Sequence, residues 1–268
     1  MHGSKLLKVL LMTVGCLLPA GMAKADLLGF YTFNGNVNDT SGNGNNGTIN
    51  GSVSFTDSGP FGGSALTLDG TSKANYVTVP INTAIELTAN ETFGAWLLVP
   101  TSAPTSSIRG AISSDNGDFD PTLDVDTRNG GFQYSAFVGG NVVGNGTANT
   151  GVWTFVAVSY SGGANGHYIF QVGSNQMTGT TNFDGGGVEN ITYIGINPNF
   201  DFEFQGGIAD AFFYNTALSA SQLANIGSTG PSAILPGVPE PSMSWLLGGT
   251  LLLLIAIRRK ITRQAQSL

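Results

Sequence analysis

The chain has 268 residues, of which 39 are Gly, 10% are charged and 41% are hydrophobic, and its formal net charge is -7. The glycines follow no G-X-Y period, which excludes collagen, and 16 Phe with 7 Tyr argue against plain disorder. Residues 26–237 carry only Lys73, Arg109 and Arg128 against 16 acids, a net of 3 − 16 = -13, so polyphosphate would be repelled and nucleic-acid binding is excluded.

The N-terminus opens with Lys5 and Lys8, then an apolar run from Val9 to Leu18, then Ala23-Lys24-Ala25 before Asp26. A basic start, a short apolar stretch and an A-x-A site are the three parts of a secretory signal peptide, here residues 1–25 with cleavage between Ala25 and Asp26. The only cysteine, Cys16, lies inside that segment, so the mature domain uses neither disulfides nor thiol chemistry.

From there the apolar/polar alternation has period two. It predicts strands at Leu28–Phe33, Thr48–Phe55, Ala65–Leu68, Tyr76–Val79, Thr92–Val99, Ala111–Ser113, Thr122–Asp126 and Phe132–Val138. Five more follow at Trp153–Tyr160, Tyr168–Val172, Gln176–Thr180, Ile191–Ile196 and Ile208–Tyr214. Asn/Gly/Ser/Asp clusters between them supply turns. Many short strands without helical patterns between them mean one all-β sandwich spanning 26–226. Ser219-Ala220-Ser221-Gln222 is a capping box that opens a short helix running to Ile226. Residues 227–237 are expected to form a linker.

The chain closes with Val238-Pro239-Glu240-Pro241, an apolar run from Met243 to Ile257, and Arg258-Arg259-Lys260. As a helix, 243–257 would reach about 22 Å, a short membrane span whose flanking arginines can snorkel. The V-P-E-P segment, apolar span and Arg258-Arg259 pair, in that order over 238–260 in a tail of 238–268, resemble the PEP-CTERM sorting signal of Gram-negative bacteria. The resemblance implies recognition by an exosortase, transient membrane attachment through the C-terminal helix, and release to the cell surface or extracellular matrix.

Several segments of the middle point to one family. They are Leu28–Thr48 (L-G-F-Y-T-F-N-G-N-V-N-D-T-S-G-N-G-N-N-G-T), Phe61–Gly70 (F-G-G-S-A-L-T-L-D-G), Thr92–Trp96, Trp153–Tyr160, and Gly207–Asp210 leading into Y-N-T-A-L-S at 214–219. Their order and spacing resemble the laminin-G-like, concanavalin A-like lectin/glucanase domain. That resemblance implies an all-β, two-sheet antiparallel jelly-roll sandwich, a binding or adhesion role commonly toward glycans, and sometimes Ca²⁺.

Ca²⁺ takes six to eight hard oxygens from carboxylates, amides and carbonyls. Asp39, Ser41, Asn43 and Asn45 offer such oxygens in a Gly-rich loop, and Asp210 on the closing strand would complete a site if the terminal segments pair. The same residues also suit a loop held by Asx-turn hydrogen bonds. A second acidic cluster, Asp115, Asp118, Asp120, Asp124 and Asp126, has Asp126 twelve positions into a loop that lacks the remaining EF-hand pattern. It either holds a cation in another geometry or simply carries negative charge.

Glucan hydrolysis by this fold would need two closely spaced carboxyl groups. The domain has only Glu86, Glu91, Glu189 and Glu203, none in an E-x-D-x-x-E arrangement; Asp124/Asp126 and Asp201/Glu203 are the same-face pairs, read as the exposed outer face of a sandwich. For sugar stacking, Trp96 and Trp153 fit the core, which leaves Phe119, Tyr134, Phe183 and Phe200 as platforms and Asn141 and Asn145 as turn residues able to bond hydroxyls. The sequence therefore points to an exported, non-catalytic carbohydrate-binding or adhesive protein with an extracellular polysaccharide partner. The competing classes are a structural matrix protein without a ligand and a glucan hydrolase acting through Asp124 or Glu203.

Overall fold

The computed structural model describes residues 27–83, 90–103, 107–114, 122–128, 131–138, 141–162, 166–181, 191–197 and 203–234. The signal segment with Ala23, Ala25 and Asp26, the acidic residues Asp115, Asp118 and Asp120, the aromatics Phe119, Phe183 and Phe200, and the tail with Val238, Pro239, Glu240, Pro241, Arg258 and Arg259 lie outside them.

In chain order the strands are β1 (Leu27–Tyr31), β2 (Thr48–Asn50), β3 (Ser54–Thr56), β4 (Ala65–Asp69), β5 (Tyr76–Val79), β6 (Glu91–Leu98), β7 (Ile108–Ser113) and β8 (Thr122–Asp126). They continue with β9 (Gln133–Val138), β10 (Asn141–Thr147), β11 (Thr154–Ser161), β12 (Gly166–Val172), β13 (Asn175–Thr181), β14 (Thr192–Ile194) and β15 (Gln205–Tyr214), and one helix, α1 (Ala220–Thr229), follows. One sheet runs β13-β12-β11-β6-β15-β4-β3 with β1 also on β15; the other runs β10-β9-β8-β7-β14-β5-β2. Every strand pairing is antiparallel. This is the expected two-sheet sandwich.

Two strand assignments needed correction. The segment 48–55 is two strands in opposite sheets, because Gly51 takes φ 67 and turns the chain between them. Asn141 and Asn145, expected in a turn, lie on β10, an edge strand whose Gly-interrupted sequence N-V-V-G-N-G-T shows little alternation.

Alternation sends Phe93, Leu97, Val156, Val158, Ile208, Ala211 and Phe213 of the first sheet inward against Val77, Val79, Ile112, Leu123, Val125 and Tyr134 of the second. The first sheet is apolar on its outer face too. There Phe30, Trp96, Phe155, Phe212 and Tyr214 pack with Leu223 and Ile226 of α1 and with Ile234. Ring centroids step along this face, Trp96 to Phe155 at 4.8 Å and Phe155 to Phe212 at 6.1 Å. A sheet buried on both faces explains why β6 and β15 read as nearly continuous apolar runs.

Helix α1 starts where the capping box places it. The Gln222 backbone N–H donates to Ser219 Oγ at 3.3 Å and the Ser219 N–H donates to Gln222 Oε1 at 2.8 Å. It runs three residues past Ile226 to Thr229, a 3-10 turn at Pro231–Ala233 follows, and Ile234 is buried with its carbonyl accepting from the Tyr214 hydroxyl. Residues 227–234, expected as linker, are thus packed on the sheet. Ser219→Ala should cost about 1 kcal/mol by removing the cap, read as a lowered midpoint in chemical denaturation.

Candidate functional site

The Asn/Gly-rich loop that carries Asp39 and Asn43 lies along the free edge of β1. The Asp39 carboxylate accepts four hydrogen bonds: Oδ1 from the backbone N–H of Phe30 (3.0 Å) and Ser41 (2.8 Å), and Oδ2 from the Asn45 N–H (3.0 Å) and the Ser41 hydroxyl (2.9 Å). Thr40 N–H donates to Phe30 O at 2.7 Å, and the side-chain amides of Asn43 and Asn45 donate to carbonyls of Leu27 and Leu28. The loop therefore substitutes for a neighbouring strand and closes an edge that would otherwise be open. Partial burial pushes the Asp39 carboxyl up, but hydrogen bonds from Ser41, Phe30 and Asn45 outweigh this and hold it below the usual carboxylate range.

Asp210 lies on the other side of β1. Strand β15 has β6 along one edge, and β4 followed by β1 along the other. Where β4 ends and β1 begins, Ala209 faces Trp96 and Phe212 faces Gly94, so Asp210 and Ala211 together oppose Ala95 in a β-bulge. Asp210 takes φ 51 there, a left-handed conformation that Asp tolerates better than most residues. The structure thus separates Asp210 from Asp39 and Asn43, across β1. Its 4% exposed side chain opens into a cleft of about 610 Å³ with Asn34, Asp57 and Ser64, whose Oγ donates to Asp57 Oδ1 at 3.2 Å and lies 3.5 Å from Asn34 Oδ1. Asp210 Oδ2 has no hydrogen-bond partner among the described residues, and burial pushes the carboxyl up to about 7.

The cleft thus carries two carboxylates, an amide and a hydroxyl, hard oxygens of the kind a divalent cation takes. Among the described residues no group of three or more His, Cys, Asp or Glu side chains stands ready for a metal, so a cation here would depend on the neutral oxygens as well. Asn34, Asp57 and Ser64 did not stand out in the sequence, which is rich in such residues throughout.

The 57–64 loop forms one wall of that cleft and, on its far side, one wall of a second cleft of about 440 Å³. Pro60, Phe61 and Trp153 line it, together with Asn149, Thr154 and Ser174. Phe61 is 59% exposed, holds φ 54, and meets Trp96 edge to face at 5.6 Å, so it forms the open end of the outer-face aromatic row. Trp153, half-buried, donates its indole N–H to Ser58 O at 3.0 Å. Phe61 was the aromatic missed in the sequence. Its signal is the setting Pro60-Phe61-Gly62-Gly63, in which turn-formers on both sides deny a strand in which to bury it. Tyr134, expected as a platform, is instead fully buried between the sheets.

The acids of β8 are buried, contrary to the exposed outer face expected for them. Asp124 is 1% exposed and accepts from the Thr122 hydroxyl; Asp126 pairs with Arg128 at 2.8 Å, and the Arg128 hydrogen bond holds its carboxyl below the usual range. Across the second sheet Asp124 and Glu203 flank Gly110 on opposite sides, which sets their backbones about 10 Å apart. The backbone of 196–197 lies over Gly110, where a Cβ would come within 2.9 Å of the Asn197 nitrogen. Chain therefore covers the sheet between these two acids.

Comparison with known proteins agrees with this architecture. The family Laminin_G_3, described as the concanavalin A-like lectin/glucanases superfamily, matches residues 69–224. Domain 4 of AbnA, an extracellular GH43 arabinanase from Geobacillus stearothermophilus solved with arabinotriose, superposes with a TM-score of 0.57 at 19% identity, over 76% of this chain and 98% of that one. The binding domain of Paraclostridial Mosquitocidal Protein 1 and the receptor-binding domain of botulinum neurotoxin type G each superpose with a TM-score of 0.58 at 14% identity. Both matches cover 76% of this chain, which spans about half the length of those toxin domains (52% and 51%). No curated protein matches the sequence significantly. These neighbours share the fold, and several of them are binding domains. With the family match extending over more than half of its length, the chain belongs to the concanavalin A-like lectin/glucanases superfamily.

Proposed function

We propose that the protein is an exported, non-catalytic carbohydrate-binding domain of the cell surface or exopolysaccharide matrix, and that its glycan seat is the cleft between Phe61 and Trp153. The observation that carries this reading is Phe61. It is a large aromatic ring left 59% exposed beside a cleft lined by hydrogen-bonding groups, where every other described aromatic is buried or half-buried. A sugar ring presents an apolar CH face to such a ring and hydroxyls to the polar groups of the cleft, here the side chains of Asn149, Thr154 and Ser174.

Export follows from the signal segment 1–25, and sorting by an exosortase from V-P-E-P at 238–241 with the apolar run 243–257 and the basic tail. The membrane contact is then transient and the working domain is released. A Ca²⁺ ion suits the cleft of Asp210, Asp57, Asn34 and Ser64. The loop of Asp39 and Asn43 already spends its carboxylate oxygens on three backbone N–H groups and the Ser41 hydroxyl, so a cation there would displace four hydrogen bonds. The non-catalytic reading draws on Asp124 and Asp126, which are buried and engaged, and on the chain lying over Gly110.

A glycan array probed with the secreted protein, with and without Ca²⁺, tests the reading. Phe61→Ala should weaken any binding by about tenfold or more, the effect of losing one stacking platform of roughly 1.5 kcal/mol. Its thermal midpoint should stay close to the parent's, because the ring is mostly exposed. Binding to no polysaccharide in either condition would favour the structural matrix protein instead. Mass spectrometry of secreted material should find no residues beyond the V-P-E-P region; an intact R-R-K-I-T-R tail would sink the sorting proposal.

A further inference from the structure

We infer that the aromatic cleft lined by Phe61 and Trp153 docks the proline-rich segment 236–241 of the same chain, so that the uncut protein carries its glycan seat closed. The closure rests on the carbohydrate-binding reading above. The docking itself does not.

Four aromatics, Phe61, Trp96, Trp153 and Phe155, line this cleft, and its polar side chains, Asn149 among them, are neutral. Such a groove suits a polyproline II segment. Proline rings pack on aromatic faces, and the backbone carbonyls, which that helix leaves unbonded, accept from a donor such as the Asn149 amide. The segment is ordered in advance, so little chain entropy is lost on docking.

The C-terminal part of the domain delivers its chain to this place. Gly227 of α1 lines the cleft, and after α1 the backbone passes against the Phe61 ring, where a Cβ on Gly230 would come within 3.0 Å of it. The Ala233 N–H donates to Gly230 O and the Ile234 N–H to Pro231 O, so Ile234 lies within one 3-10 turn of that contact. Ile234 is 1% exposed and its carbonyl accepts from the Tyr214 hydroxyl, which pins the exit point.

Beyond this pin the sequence runs Leu235-Pro236-Gly237-Val238-Pro239-Glu240-Pro241. Pro236 and Pro239 have the P-x-x-P spacing that places both rings on one edge of a helix with three residues per turn. At that helix's rise the six residues 236–241 would extend about 19 Å, enough to run the length of a small cleft. Glu240 is the one charge among them; the aromatic cleft has no acid to repel it, whereas the neighbouring cleft has Asp57 and Asp210. Only Leu235 separates the segment from the pinned Ile234, so its effective concentration at the cleft is of millimolar order and a weak contact suffices. The same docking covers V-P-E-P, so the domain and a membrane protease would compete for one stretch of chain.

The test uses the full chain in detergent. With Trp245→Phe only Trp96 and Trp153 fluoresce, and replacing Pro236, Pro239 and Pro241 together by Ser should raise their quenching by acrylamide. In a Cys16→Ser background, Ser174→Cys with Val238→Cys should be joined by a short bis-maleimide. Thr180→Cys, exposed toward the far end of β13, should not be joined to Val238→Cys. For any polysaccharide that the array retains, the triple-proline variant should bind about fivefold or more tighter than the uncut parent. Equal cross-linking from Ser174→Cys and Thr180→Cys, or quenching unchanged by the proline substitutions, overturns the docking and leaves glycan binding to stand on its own array. Docking by both measures without a gain in array binding overturns the closure. Docking in a protein whose proline variant retains no polysaccharide overturns the glycan reading instead.

Discussion

At pH 8 without divalent cations, Asp210→Asn is expected to be more stable than the parent by about 2–4 kcal/mol, and at pH 4 it should show no such gain. The sign follows from the direction of the shift. Burial without a partner raises the folded-state pKa of Asp210 from 3.8 to about 7. Below pH 4 both folded and unfolded chains hold the proton, so the group is neutral to stability. Between pH 4 and 7 the unfolded chain ionises while the folded one does not, and stability falls as pH rises. Above pH 7 both are ionised and the deficit stays constant, at an upper bound of about 4 kcal/mol for roughly three pH units at 1.36 kcal/mol each. Asparagine is isosteric and cannot ionise, so it carries none of this deficit. Urea denaturation at pH 4, 6 and 8 reads the effect directly. An equal offset at all three pH values would show that Asn acts through packing and not through charge.

The sandwich of strands was legible because its physics writes itself into alternation: Phe93, Ala95 and Leu97 face one way and Thr92, Gly94 and Trp96 the other. It failed where alternation fails. In 48–55, two short strands read as one because Gly51 interrupts them only by its dihedral angle. In 141–147, Gly144 and Gly146 leave too few side chains to show a period.

The site was legible only in part. Asp210 stood out as an acid on an apolar closing strand, but the bulge that turns it away from Asp39 depends on the register between β15 and β6, which no local pattern records. Asp57, Asn34 and Ser64 line the same cleft from loops distant in sequence, in a chain where Asn, Ser and Gly are too common to attract notice. The acids of β8 were misplaced for a different reason. A strand's polar face is ordinarily wet, and nothing local says that 196–197 will lie across it.

Asp39→Ala should cost about 3 kcal/mol, more than any ordinary loop substitution, because one carboxylate organises the whole strip that seals β1. Its four donors are the N–H groups of Phe30, Ser41 and Asn45 and the Ser41 hydroxyl, and alanine satisfies none of them. Phe30 is buried in the outer-face core, so its orphaned N–H cannot recover a water without opening the strand edge. Asparagine at the same position retains one acceptor oxygen and turns an amide toward the remaining donors, so it should fall between alanine and the parent. The pH dependence runs opposite to that of Asp210. Hydrogen bonding holds the folded-state carboxyl of Asp39 below its ordinary value, so its contribution is fully present above about pH 4 and fades as pH falls through the lowered folded value. The gap between parent and Asp39→Ala should accordingly narrow on acidification, measured as the difference in urea midpoints from pH 7 down to pH 2.5. A gap that stays constant over that range would mean that the loop is held by Thr40 and the asparagine amides, and that the carboxylate is a bystander.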